Sequence, residues 1–164
     1  MTDELWAVEP EPVGAPEAAA LLREFHADVA TRRRLSREGT RASGSELERE
    51  LAELSTDDLE PPDGVFLVGR CEGDAAGCAG VRLLGARTAE LIAVFVRPLW
   101  RRSGGGLHLL AAADRAAVDL GAERIVVQAR ADLVEAQGLY VKHGYGEVRP
   151  ATAESDAWYG KDLP

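Results

Sequence analysis

Apolar positions along this chain keep two different periods, and the places where the period changes outline the elements. Leu91–Val96 is a nearly unbroken apolar run with β-branched members, long enough for a buried strand. Pro98 ends it, because proline lacks the N–H a ladder needs and fixes φ. Gly104, Gly105 and Gly106 then lead into a helical repeat at Leu107, Leu110, Ala111, Ala117 and Val118, a helix that runs to about Leu120 with Gly121 as its C′ residue.

Upstream, Leu5–Val8 reads as a short strand broken by Glu9–Pro12. Pro16 and Glu17 open an amphipathic helix whose buried face is Ala18, Leu21, Leu22, Phe25 and Val29; His26 sits at the boundary of that face, as a structural residue. Ser45-x-x-Glu48 forms a capping box for a second helix with Leu47, Leu51 and Leu54 inward, and Asp57, Asp58, Glu60, Pro61-Pro62 and Asp63-Gly64 end it in a turn. Val65–Arg70 and Ala79–Leu84 predict two strands joined as a hairpin through Glu72-Gly73-Asp74, and Gly85–Thr88 turns the chain into the central strand. Downstream come a strand at Ile125–Val127, a helix capped by Asp132 and Glu135 and ended by Gly144, and a closing hairpin of Tyr145–Arg149 and Ala157–Lys161 around Pro150–Asp156. This order predicts an α/β (α+β) domain with a mixed, mostly antiparallel sheet and helices on both faces.

Composition narrows the class. A chain of 164 residues, 46% apolar and 29% charged, suits one soluble domain. No run is long enough to span a membrane, and Asp3 and Glu4 stand where a signal peptide would be basic, so a cytoplasmic protein with no membrane partner is expected. A net charge of −9 argues against nucleic acid; it serves solubility, or favours a cationic small molecule or peptide. Arg32, Arg33, Arg34, Arg37 and Arg41 cluster in Thr31–Ser43, read as a solvated connector. Cys71 and Cys78 flank the first hairpin turn, where they could face each other; reduced thiols are expected, and without nearby histidines they make no zinc signature, so no metal is expected.

The glycine turn carries the chemistry. Between a strand and a helix it leaves amides unpaired at the positive end of the helix dipole, a place for phosphate, and glycine lets the ligand come close. It lacks the GK[ST] ending of a triphosphate loop and the acidic residue of a dinucleotide fold.

Three landmarks occur in order: Val96-x-Pro98, Arg101-x-x-Gly104-x-Gly106, and Ala136-x-x-Leu139-Tyr140-x-x-x-Gly144-Tyr145. Across Ala89–Val148 the chain resembles the GCN5-related N-acetyltransferase (GNAT) superfamily. The resemblance implies a sheet that splays between its fourth and fifth strands, with the pantetheine arm of acetyl-CoA in the gap. It implies a cofactor site made of Val94, Phe95, Val96, Arg101, Arg102, Ser103, Gly104, Gly105, Gly106 and Leu107. In it Glu90 stands at the general base, where burial at a central strand would raise its basicity, and Tyr140 at the acid for the leaving thiolate. His108 and His143 match no catalytic position. Many members carry Asn where this chain has Asp132 and Leu133, and Asp cannot donate a hydrogen bond.

The implied activity is N-acetyl transfer from acetyl-CoA to a primary amine of a small molecule or peptide. The alternative is a non-catalytic coenzyme A-binding module, or a homodimerisation module on the same scaffold. The acceptor is set in this family by regions that correspond here to Ala15–Leu59 and Pro150–Trp158; aminoglycoside, polyamine, amino acid and protein N-terminus are all compatible with them.

Overall fold

The computed structural model describes residues 6–38, 59–85, 87–102, 104–129, 134–150 and 157–164. Within them, β1 (Trp6–Pro10), β2 (Gly64–Cys71), β3 (Asp74–Gly85), β4 (Thr88–Val96), β5 (Arg124–Ala129), β6 (Gly146–Arg149) and β7 (Ala157–Asp162) form one seven-stranded sheet. Its order is β1-β2-β3-β4-β5-β7-β6. Neighbours are antiparallel except β4 and β5, whose parallel pairing needs a crossover, supplied by α2 (Gly105–Asp119). No helix among the described residues is long and apolar enough to cross a membrane.

Strand alternation divides the core between the two faces. Phe66, Val68 and Cys78 pack with Ala18, Leu21 and Leu22 of α1 (Pro16–Glu38). Leu67, Ala79, Val81 and Leu91 pack with Leu109, Leu110 and Ala113 of α2, together with Tyr140 of α3 (Val134–Lys142). The mixed sheet with helices on both faces is therefore present.

Several boundaries differ from the sequence reading. The Arg-rich stretch does not begin as a connector: α1 continues to Glu38, and 39–43 fall outside the described residues, as do the capping box with Leu47, Leu51 and Leu54, and Asp132. β3 begins at Asp74, five residues before the expected start, because Ala75, Ala76 and Gly77 are small enough to lie inside the sheet. The cysteines do not face each other: Cys71 pairs across with Asp74 and Cys78 with Val68, and both are free thiols. His26 is buried against the Phe25 ring, at 5.1 Å edge-on, and is not a boundary residue. Leu110 and Ala117 of the expected repeat of α2 are buried, but the buried face also takes in Gly105, Leu109, Ala112 and Ala113, and Val118 is exposed. That helix is apolar nearly all round, so spacing alone could not set its rotation.

Glycine is required at the start of α2 for packing. A Cβ on Gly105 would collide with the Trp6 ring, and one on Gly106 would lie 2.7 Å from Leu139. The helix end is wedged between β1 and α3. Gly138, inside α3, has nothing within 4 Å of its missing Cβ. Gly105→Ala is therefore expected to cost about 1–3 kcal/mol by overpacking, whereas Gly138→Ala should gain about 1 kcal/mol of helix propensity. Urea unfolding of the two variants checks this; equal effects would mean that Trp6 does not hold the helix end.

Candidate functional site

The site begins where β4 and β5 part. Their parallel pairing covers Thr88–Leu91 and Arg124–Val127 only, and past Leu91 the described residues give β4 no strand partner on that side. On the other side β3 follows it to the end, but with a bulge: the register passes from Gly80↔Ile92 to Cys78↔Phe95, so two residues of β4 oppose Ala79. Ala93 takes the strained position, at φ 54°. Ile92 and Ala93 then both face the α1 side, and Val94 and Val96 turn to the α2 side. The bulge shifts the side-chain alternation by one residue and is supported from β3. Cys78 Sγ donates to the Ala93 carbonyl at 3.3 Å, and burial pushes this thiol's pKa up, which keeps it a donor. Gly77 leaves room for the strand: a Cβ there would come 2.6 Å from the Phe95 carbonyl oxygen.

Beyond β4, a 3₁₀ turn (Pro98–Trp100) and Arg102 at φ 65° redirect the chain, and Gly104, at φ 87°, serves as the N-cap of α2. The amide of His108 donates to the Gly104 carbonyl at 3.2 Å, the first bond of the helix. The amides of Gly105, Gly106 and Leu107 precede it and stand at the positive end of the dipole. Arg101 folds back: its Nε donates to the Val96 carbonyl at 2.9 Å, and its guanidinium lies 5.8 Å from the Phe95 ring centre.

These parts surround a cavity of about 650 Å³. Val94, Phe95, Val96, Arg101, Arg102, Gly104, Gly105, Gly106 and Leu107 all line it; Ser103 lies outside the described residues. Phe25, Asp28, Trp100, Leu139 and Lys142 complete the wall. Sequence reasoning missed these five, and only for Leu139 and Lys142 did a signal exist, namely their place in the third motif. α1 is held over the cavity by Arg97. Its Nε and Nη2 meet the two carboxylate oxygens of Glu24 at 2.8 and 2.6 Å, and Nη1 donates to the Ala75 carbonyl at 2.8 Å. A forked pair of this kind fixes direction as well as distance, and so places Phe25 edge-on to Phe95 at 6.4 Å. Three cations and a row of helix amides suit an anionic ligand, phosphate above all.

Glu90 and Tyr140 do not line this cavity. Glu90 is 6% exposed, as expected of a central strand, but it is ion-paired: Arg82 Nε donates to its Oε1 at 2.8 Å. Tyr140 is 5% exposed, with its ring 5.7 Å from that of Tyr145. His143 is structural, as read: its Nε2 lies 3.0 Å from Asp114 Oδ2, which also accepts from Lys161 Nζ at 2.6 Å, joining α2, the end of α3 and β7.

A pyrophosphate-bearing ligand should therefore lose affinity when either the turn or the cations are changed. Gly104→Val forces a β-branched residue into the left-handed region and should weaken binding at least about tenfold. Lys142→Met removes at most one charge-assisted bond, about 1.5–3 kcal/mol. Calorimetric titration measures both, and unchanged affinities would place the anion elsewhere.

Residues 29–145 match the family model described as Acetyltransferase (GNAT) family. No curated protein sequence matches the chain. Among solved structures, a GNAT-family acetyltransferase from Staphylococcus aureus is similar at 16% identity and TM-score 0.70, over 97% of this chain and 99% of that one. An acetyltransferase from Streptococcus agalactiae is 14% identical at TM-score 0.67, over 98% and 99%. A GNAT-family acetyltransferase from Elizabethkingia anophelis, solved with acetyl-CoA bound, is 15% identical at TM-score 0.63, over 98% and 99%. At such identities the likeness is one of fold.

Proposed function

This chain belongs to the GNAT acetyltransferase family, and from that premise we propose that it moves an acetyl group from acetyl-CoA to a primary amine of a small molecule or peptide. The observation that carries the reading is the free side of β4 past Leu91, which borders the same cavity as the glycine turn.

The residues present fit this cosubstrate. Acetyl-CoA supplies an acyl group activated as a thioester. The amides of Gly105, Gly106 and Leu107, with Arg101, Arg102 and Lys142, would hold its pyrophosphate. The backbone of Val94–Val96 would pair with the amide-bearing arm as an added strand, one N–H being aimed at the thioester carbonyl. Ser103 belongs to the same turn in sequence. The Elizabethkingia protein, of similar fold, binds acetyl-CoA, which supports the assignment.

Glu90 takes the proton released as the amine nitrogen bonds to the acyl carbon. As the carbon–sulfur bond breaks, the thiolate takes a proton from the Tyr140 hydroxyl, and both side chains exchange with solvent to reset. Tyr140 is on the helix whose Leu139 and Lys142 line the cavity, which supports its place near the sulfur. The protein would act in the cytoplasm. Its acceptor lies toward α1, where Phe25 and Asp28 face the cavity.

Acetyl-CoA at about 100 times its dissociation constant should stabilise the fold by about 2.7 kcal/mol. Glu90→Gln keeps the shape and removes basicity, so turnover on the best amine of a panel should fall roughly 10²-fold with cofactor affinity retained. Tyr140→Phe should lower kcat by roughly 10- to 1000-fold, with little change in thermal stability. Full kcat in either variant removes that residue from the mechanism. If thiol release from acetyl-CoA is absent with every amine while the cosubstrate still binds, the protein is a binding module.

A further inference from the structure

Among the described residues Glu90 is the sole buried carboxylate. Arg82 stands directly across from it in the β3–β4 register. Both side chains leave the sheet on the α1 face, because their neighbours Val81 and Leu91 pack beneath α2. The contact is one-sided: Arg82 Nε and Nη2 lie 2.8 and 2.7 Å from the same oxygen, Oε1. Oε2 takes part in neither contact.

Stability does not account for such a pair. A buried carboxylate facing a partly exposed guanidinium recovers little more than its desolvation cost. A carboxylate that must meet a nitrogen in one orientation gains more. A glutamate has three side-chain torsions, and anchoring one oxygen by a planar fork restricts all of them while leaving the second oxygen on a defined line.

We propose that Arg82 is a positioning residue for acyl transfer: it holds Glu90 by Oε1 so that Oε2 is the oxygen presented to the acceptor amine. The inference rests on the reading of Glu90 as the base. Arg82 touches neither the acetyl group nor the amine and acts through the carboxylate. The pair also carries no net charge, so the amine is met by a hydrogen-bond acceptor more than by an unbalanced negative charge.

The test is steady-state kinetics of the full chain with acetyl-CoA and its best amine, for Arg82→Ala, Arg82→Lys, Glu90→Gln and the double variant Arg82→Ala/Glu90→Gln. Arg82→Ala should lose about 10- to 100-fold in kcat, the scale of an atom misplaced by about 1 Å, with KM for acetyl-CoA unchanged. Millimolar guanidinium chloride should restore part of the loss and the same concentration of sodium chloride none. Arg82→Lys, able to hold Oε1 through one bond, should fall between Arg82→Ala and the parent, and the double variant should be no slower than Glu90→Gln alone. The proposal is overturned if Arg82→Ala keeps its kcat, if its loss is matched by a rise in KM for acetyl-CoA, or if the two single losses multiply in the double variant. Should Arg82→Ala fail to fold, Arg82→Lys decides, and a kcat equal to the parent's overturns it. Full kcat in Glu90→Gln, in contrast, removes the base assignment itself, whatever Arg82 does.

Discussion

Backbone amides inside a protein need partners, and at one place in this sheet the partner is withheld. Among the described residues, β4 has β5 beside it through Leu91 and no strand there afterwards, although β3 follows its other side to Val96. A central strand with an unpaired side is costly unless water or a ligand pairs with it. The glycine turn that leads into α2 borders the cavity at this place. The bulge at Ala93 and the left-handed Gly104 both lie past that parting, and Gly104 borders the cavity.

The parted strands are held by close contacts that admit little bulk. Gly105 lies against the Trp6 ring, Gly106 against Leu139, and Gly77 beneath the Phe95 carbonyl. The glycine turn thus answers two demands: its amides must be reachable, and its helix must seat between β1 and α3. The second was not foreseen from the motif, which explains glycine by ligand approach alone. The site is consequently part of the core. Leu109 and Leu110, four and five residues after Gly105, are fully buried in the cluster that also holds Tyr140.

Charged side chains make the remaining connections, and arginine makes most of them. Arg97 forks onto Glu24 and ties α1 over the cavity; Arg70 joins β2 to Glu11 and to Glu17 in the first turn of that helix. These pairs are partly exposed, so each adds little to stability, but their planar geometry sets where the helix lies. Arg82 differs, since its partner Glu90 is buried.

Local chemistry was enough to determine much of this protein. Pro98 and Gly121 stop their elements whatever surrounds them, through φ and a missing donor at one and a left-handed residue at the other. Val94–Val96 of the apolar run and the turn from Arg101 to Gly106 were legible as segments, because a strand's apolar run and a glycine turn show in the sequence without side-chain context, and described residues of both border the cavity. What remained depended on neighbours distant in sequence. The rotation of α2 could not be read from a helix apolar on nearly every side; the sheet and α3 selected the Leu109 face. The strand start at Asp74 needed β2 beside it, since alanines and glycines have little strand preference of their own. Phe25 and Asp28 reach the cavity because α1 packs on the sheet and is tied to Arg97. Arg82 meets Glu90 only through the register in which β3 and β4 pair. Spacing along the chain conveys torsions and periods, whereas which charge faces which is decided when the strands pair.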